Sequence, residues 1–160
     1  MASSRSILTA IVGGGVVAAT LDIGAAMLIS GASLPQILQF IASGLLGKAA
    51  FDGGTGTVLL GAVLQELMGL IIAAVFVLAS LRLPALRRRW MLAGLGYGVV
   101  IYVVMNYVVM PLSAVGRTPA FSVEGLIKNG LAMLLFGLIV AWFARANLPP
   151  APAAAMAKPG

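Results

Sequence analysis

The 160-residue chain is 61% hydrophobic and only 9% charged, whereas a soluble domain carries about 25% charged residues. Too few charges remain to cover a water-facing surface, so lipid must form part of the solvent. Cysteine and histidine are absent, which excludes disulfides, Cys or His zinc sites, haem on histidine and triads with a histidine base.

The net charge of +6 does not indicate a nucleic-acid partner, because Arg87, Arg88 and Arg89 form the only basic cluster and lie between two apolar segments. That placement is typical of an orientation signal for membrane insertion.

Four segments are long and apolar enough to cross the ~30 Å hydrocarbon core, which takes about 20 helical residues. They are residues 7–30, 57–81, 90–113 and 122–144. None of them alternates apolar and polar residues as the strands of a membrane barrel do. The first follows Arg5 as a signal peptide would, but it is long, contains Asp22 and lacks a small-residue cleavage site, so we expect it to be retained. The predicted fold class is therefore all-α, a four-helix transmembrane bundle that forms a single domain over residues 1–145.

Basic residues predict the orientation of this bundle, because cytoplasmic segments are enriched in Lys and Arg. With both termini in the cytoplasm, seven basic residues lie inside and three lie outside. The inner set is Arg5, Arg82, Arg87, Arg88, Arg89, Arg145 and Lys158, and the outer set is Lys48, Arg117 and Lys128. Trp90 and Trp142 fall near the inner ends of the third and fourth spans, as interfacial anchors should. We predict a multi-pass protein of the bacterial inner membrane with both termini cytoplasmic.

The connection between the first two spans is expected to contain a short helix over about residues 34–46. Ser33 and Gln36 have the spacing of a capping box, and apolar residues then recur at helical intervals. This helix is too short to cross a bilayer, so we expect it to lie at the outer interface or to re-enter the bundle. The Gly-rich segment after it turns the chain into the second span. Residues 146–160 are rich in Pro and Ala and are predicted to form a disordered tail.

Two acidic residues lie inside the predicted spans and are the first candidates for function. Asp22 is in the first span, among Gly and Ala residues that would let another helix approach closely. Glu66 is in the second span, directly after Gln65. A charge that faces lipid costs roughly 3 kcal/mol on insertion scales. Both acids are therefore expected to face protein or water.

The third span carries Gly94, Gly98, Tyr102 and Asn106 at intervals of four. The two glycines predict a close helix contact, and the two polar side chains are expected to hydrogen-bond inward. Pro111 loosens the outer end of this span and frees a backbone carbonyl.

Lys128 lies one to two turns into the fourth span, four residues after Glu124, which is the favourable spacing for a helical ion pair. In the predicted orientation, Lys128 falls at a depth similar to that of Asp22, Glu66 and Asn106. These residues could form one polar cluster that faces the interfacial helix. The sequence leaves open whether Lys128 reaches Asp22, Glu66 or only Glu124.

Three interpretations of such a cluster are open. It could be a polar network that fixes helix register, with Lys128 neutralising an acid. It could be a small cavity, open outward, that binds a cation, a proton or a polar ligand, because intramembrane acids are functional candidates by default. One or both acids could also carry a proton and simply be tolerated, since burial favours the neutral form of a carboxyl group.

Three stretches of the chain are distinctive for so apolar a sequence: GVVAATLDI, LPQILQFIASGLLGKAAFDGG and YGVVIYVVMNYVVMPLSAV. Together they resemble a group of small, uncharacterised bacterial inner-membrane proteins with four spans. The resemblance covers about residues 10–145, and its most specific strings are IASGLLG and the MN-VV-PLSA pattern. It implies the four-span fold and no established activity. That group usually has a histidine where this chain has Gln65, and a second near Ala132, so no histidine-based metal or proton role carries over.

We predict a module that binds or transports a small ligand, cation or proton, built on the intramembrane carboxylates. The candidate binding residues are Asp22, Gln65, Glu66, Tyr102, Asn106 and Lys128. The alternative is a structural or assembly subunit whose Gly and Ala faces pack against other membrane proteins. An enzyme is less favoured, because no nucleophile–base spacing is visible.

No catalytic residue, metal site or cofactor is predicted from the sequence. The expected partners are the lipid bilayer and either a second copy or other membrane proteins. A four-span monomer is small for an alternating-access carrier, which usually contains paired repeats, and this favours a homodimer. Nucleic acid is not an expected partner.

Overall fold

The computed structural model describes residues 3–116 and 122–149, and within these ranges every regular element is a helix. The helices are α1 (Ser4–Ser30), α2 (Leu34–Leu46), α3 (Gly54–Arg82), α4 (Pro84–Arg88), α5 (Trp90–Val104), α6 (Met110–Leu112) and α7 (Val123–Asn147). A 3-10 turn, Gly47–Phe51, follows α2, and a π-helical turn, Met105–Val109, joins α5 to α6. The all-α four-helix bundle is confirmed, and α2 is compatible with the short extra helix predicted between the first two spans, whereas α4 was not predicted.

In the described part of the chain, four helical stretches are long and apolar enough to cross a membrane: Ser4–Ser30, Gly54–Arg82, Trp90–Leu112 and Val123–Asn147. Many large aliphatic side chains on their outer surfaces are exposed, among them Leu59, Val63 and Leu131. Such a surface is stable only against lipid. The chain is therefore an integral, multi-pass membrane protein.

The helix ends differ slightly from those expected from the sequence. α1 begins at Ser4 because the Ser3 hydroxyl accepts a hydrogen bond from the Ser6 N–H at 3.1 Å and caps the helix. α7 continues to Asn147, and Leu148 after it is buried, so the predicted tail would start later than residue 146. Residues 150–160 of that tail lie outside the described part of the chain.

The four spans pack in the order α3, α1, α7, α5, and α7 also touches α3. The shared core is built largely from small residues such as Ala10, Ala18, Ala73 and Ala144. Small side chains matter here because lipid tails are as apolar as leucine, so close backbone packing rather than hydrophobic exclusion holds the helices together.

Glycine makes the crossing of α1 and α3 possible. A Cβ atom built on Gly15 would lie 2.9 Å from the Gly69 carbonyl oxygen, and one on Gly69 would lie 2.7 Å from the Ala19 Cβ. Real Cβ contacts are not this short. The backbones of the two helices therefore meet directly at this level, which sets how α1 and α3 are rotated against each other.

Helix α5 is attached mainly to α7 and reaches α3 through one aromatic residue. The Tyr97 hydroxyl donates to the Ile72 carbonyl oxygen at 2.7 Å, and its ring lies 5.0 Å from that of Phe76, centroid to centroid. The close contact predicted for Gly94 and Gly98 is made with α7.

Helix α2 covers one end of the bundle, which we call the α2 end. The predicted capping interaction is present, with the Ser33 N–H donating to the Gln36 side-chain oxygen at 2.9 Å. Leu38 and Ser43 are among the buried residues of α2, and this helix packs against α3. The Ala114 N–H donates to the Gly44 carbonyl at 2.8 Å and ties α2 to the segment after α6.

Candidate functional site

Asp22 and Gln65 face each other across the contact between α1 and α3. The Gln65 side-chain amide donates to the Asp22 carboxylate at 3.1 Å and to the Ala19 carbonyl oxygen at 3.3 Å. Both polar side chains are half-buried. They meet because the Gly15–Gly69 crossing brings the two helices together and turns these positions toward each other. The result is a carboxyl group inside an apolar bundle whose described hydrogen bond comes from the neutral Gln65 amide.

Asp22 also lines a small, partly open cleft between α1 and α7. The other lining residues are all apolar: Ala18, Leu21, Ala25, Ala132, Leu135, Phe136 and Ile139. Leu21 and Leu135 are 52% and 50% exposed, so they lie at the rim of this cleft. The carboxyl group of Asp22 is thus held by α3 on one side and bordered on the other by an apolar opening at the bundle surface.

Glu66 lies on the opposite flank of the same helix contact. The Thr20 hydroxyl donates to one Glu66 carboxylate oxygen at 3.4 Å, and the other oxygen, Oε2, is buried without a hydrogen-bond partner among the described residues. Thr20 and Asp22 are two residues apart, hence about 200° apart around α1. The two carboxyl groups therefore belong to separate environments, and no described hydrogen bond joins them.

Tyr102 and Asn106 are both half-buried on the span that packs mainly against α7. The Asn106 amide donates to the Tyr102 carbonyl oxygen of its own helix at 2.8 Å. Asn106 lies in the π-helical turn, just before Pro111, whose missing N–H removes a helical hydrogen bond. No described hydrogen bond connects either residue to Asp22 or Glu66.

Lys128 pairs with Glu124 in the first turns of α7, with the ammonium nitrogen 2.5 Å from the carboxylate. Their side chains are 46% and 76% exposed, so this is a surface pair at the α2 end of the bundle. The question that the sequence left open is answered: Lys128 reaches Glu124 and makes no described contact with Asp22 or Glu66.

Two parts of the site were not among the sequence candidates. Thr20 is the partner of Glu66, and its hydroxyl near the middle of an apolar span was an available signal. The α7 wall of the cleft, formed by residues such as Ala132 and Phe136, is purely apolar and has no signal in the sequence.

The chemistry available at Asp22 is limited to one carboxyl group and one amide. Within residues 3–116 and 122–149, no group of three or more His, Cys, Asp or Glu side chains could hold a metal ion. Such a donor set suits the uptake and release of a single small species. Comparison with protein-family models, curated proteins and solved structures found no match.

Proposed function

We propose that this membrane protein binds and transfers protons, with the Asp22 carboxyl group as the site of protonation. The observation that supports this most directly is the hydrogen bond from Gln65 to Asp22, placed beside a cleft that is otherwise apolar. Intramembrane carboxyl groups are rare because they are costly, and they commonly belong to ion or proton pathways.

The size of the cleft favours a proton over a larger ligand. Its enclosed volume is about 10 Å³, roughly the room that one water molecule needs, whereas sites for drug-sized molecules occupy about 300–1,000 Å³. The surrounding side chains offer no second polar group that could orient an organic ligand. A small species that needs only one binding group fits better.

The number of oxygen donors favours a proton over a metal cation. Ca²⁺ takes about six to eight oxygen ligands, and Mg²⁺ requires near-octahedral coordination. Around Asp22 the described hydrogen bonds involve only its own carboxylate, the Gln65 amide and the Ala19 carbonyl, which already accepts from Gln65. A proton needs a single carboxyl oxygen.

Gln65 can remain bonded to Asp22 in both protonation states. The amide N–H donates to Oδ2, and a proton on Oδ1 would leave that acceptor in place. Protonation therefore requires no rearrangement of α1 against α3. The opening between α1 and α7 supplies a second side from which Asp22 can be reached.

Reaction with a hydrophobic carbodiimide tests this proposal, because the reagent modifies protonated carboxyl groups within apolar surroundings. The purified protein is treated in detergent at several pH values, and the modified residue is identified by mass spectrometry. We expect modification of Asp22, with a yield that falls as the pH rises. Glu66→Gln is the matched control and should leave labelling of Asp22 intact.

Proton movement is then measured in vesicles that contain the protein and an internal pH-sensitive dye. An imposed membrane potential should drive proton uptake in the wild type and in Glu66→Gln, but not in Asp22→Asn. Equal uptake by the wild type, Asp22→Asn and protein-free vesicles would overturn the proposal. Equal uptake would instead favour the alternative, a structural or assembly subunit. Co-purification with other membrane proteins in mild detergent would be the direct sign of such a subunit.

We further propose that the protein lies in a bacterial inner membrane with both termini in the cytoplasm. Ile7 and Ala10 near the start of α1 pack in the same cluster as Ala144 and Leu148 near the end of α7, which supports one location for both ends. Because the chain lacks cysteine, single thiols can report the orientation. In intact cells, an impermeant maleimide should label Ser30→Cys, and label Ser3→Cys only after lysis.

A further inference from the structure

Two segments that are distant in sequence meet at the end of the bundle opposite to α2. α4 packs against α7, and the Arg87 guanidinium donates to the Pro149 carbonyl oxygen. The Arg145 guanidinium lies 5.5 Å from the centre of the Trp90 ring, in a cation–π contact. We call the resulting surface the basic end. It comprises Arg82, Arg87, Arg88, Arg89 and Arg145.

The basic end contains no acidic residue of this chain. The chain has four acids. Asp22 and Glu66 lie within α1 and α3, and Asp52 and Glu124 lie at the α2 end. Arg82, Arg89 and Arg145 are exposed. The charges of these three arginines are therefore accessible to an anion from outside the chain.

Arg145 is held in a geometry suited to phosphate. Its guanidinium lies over the Trp90 ring, which restricts the side chain, and the residue is still exposed to solvent. Guanidinium groups bind phosphate oxygens through two parallel hydrogen bonds. Trp90 itself is a residue type that anchors at the level of lipid headgroups.

Apolar side chains next to the arginines indicate which phosphate compound fits. Leu83, Met91 and Leu92 are all exposed beside the basic end, and so is Trp142 on α7. A free phosphate ion would make no use of them. A phospholipid would place its headgroup on the arginines and its acyl chains on this apolar surface.

We propose that the basic end binds an anionic phospholipid, with Arg145 and Arg89 contacting the phosphate. This inference does not depend on proton transfer at Asp22, which lies elsewhere in the bundle. It also differs from an orientation signal, which acts during insertion. Binding measured on the purified, detergent-solubilised protein separates the two roles.

The test compares phosphatidylglycerol with phosphatidylcholine in mixed micelles, with thermal stability and native mass spectrometry as readouts. Phosphatidylglycerol should raise Tm and remain bound, whereas phosphatidylcholine should do so much less. Arg145→Gln and Arg89→Gln should each lower the apparent affinity for phosphatidylglycerol about fivefold, since one arginine near an anionic surface contributes about 1 kcal/mol. Arg145→Lys keeps the charge but loses the planar fork, so its affinity should also fall.

Arg5→Gln is the matched control, because it removes one positive charge at the same end of the bundle but outside the basic end. It should leave lipid binding nearly unchanged. The proposal is contradicted if Arg5→Gln weakens binding as much as Arg145→Gln, which would indicate a diffuse charge effect. Equal stabilisation by both lipids would also contradict it, as would complete displacement of phosphatidylglycerol by inorganic phosphate. The Tm of each variant in phosphatidylcholine micelles shows whether it is folded.

Discussion

The backbones of Gly94 on α5 and Gly137 on α7 are in direct contact. A Cβ atom added to Gly94 would lie 2.9 Å from the Gly137 carbonyl oxygen, and one added to Gly137 would overlap the Gly94 carbonyl oxygen. Gly98 extends this contact by one turn, since a Cβ there would lie 2.5 Å from the Met133 carbonyl oxygen. Because α5 packs mainly on α7, this glycine contact is a principal attachment of α5 to the bundle.

Gly137→Ala is therefore expected to lower the free energy of unfolding by about 1–3 kcal/mol, the usual cost of overpacking. The obstructing atoms belong to backbone and cannot rotate away. Gly96→Ala is the control, because nothing lies within 4 Å of a Cβ at that position. Alanine there should be neutral or stabilising by up to about 1 kcal/mol through helix propensity. Thermal unfolding in a single detergent distinguishes the two, and equal Tm values would argue against the contact.

Gln65→Leu should destabilise the protein more when Asp22 is present than when it is replaced. The substitution removes the donor to the Asp22 carboxylate, and hydrogen bonds inside membrane proteins contribute about 0.6 kcal/mol on average and at most about 1.7. A double-mutant cycle with Asp22→Leu, measured by unfolding in detergent, isolates this coupling. The same cycle with Glu66→Leu is the control and should give a much smaller value. A coupling near zero for Gln65 and Asp22 would refute the pairing.

The helices were predictable because their signals are local. The length of each apolar segment identifies each span, and the Ser33–Gln36 spacing identifies the start of α2. Neither signal depends on contacts with other helices. The pairing of Asp22 with Gln65 is not local. It depends on the rotation of α1 against α3, which the Gly15–Gly69 crossing determines, and many small residues in both spans could have formed that crossing.

The expectation of one polar cluster came from depth alone, and depth leaves the direction of a side chain undetermined. Asn106 satisfies its amide with the Tyr102 carbonyl of its own helix, an option open to any asparagine in a helix. Lys128 bonds to Glu124, one turn away. Both local bonds form without a neighbouring helix, so similar depth did not bring these residues to Asp22.

Lys128→Gln is expected to leave proton uptake and carbodiimide labelling of Asp22 unchanged. Lys128 is paired with Glu124 at the surface and has no described contact with either intramembrane carboxyl group. The single substitution should also produce no resolvable change in Tm, because exposed ion pairs contribute little to stability. A loss of uptake equal to that of Asp22→Asn would show that Lys128 belongs to the proton site after all.

Gly61 on α3 is expected to determine whether α2 stays docked. A Cβ atom at Gly61 would overlap the Leu38 carbonyl oxygen, so Gly61→Val should displace α2 from the bundle. Because the chain has no cysteine, Ser43→Cys on the buried side of α2 gives a unique thiol, and Ser43 is only 3% exposed. Its reaction with a water-soluble maleimide should be slow in the otherwise unchanged protein. Overpacking of about 1–3 kcal/mol should accelerate the reaction of this thiol about five- to 150-fold in the Gly61→Val background.

Gly56→Val is the control, since nothing lies within 4 Å of a Cβ at Gly56, and it should leave the Ser43→Cys thiol protected. Equal rates in the two backgrounds would mean that α2 does not depend on this contact.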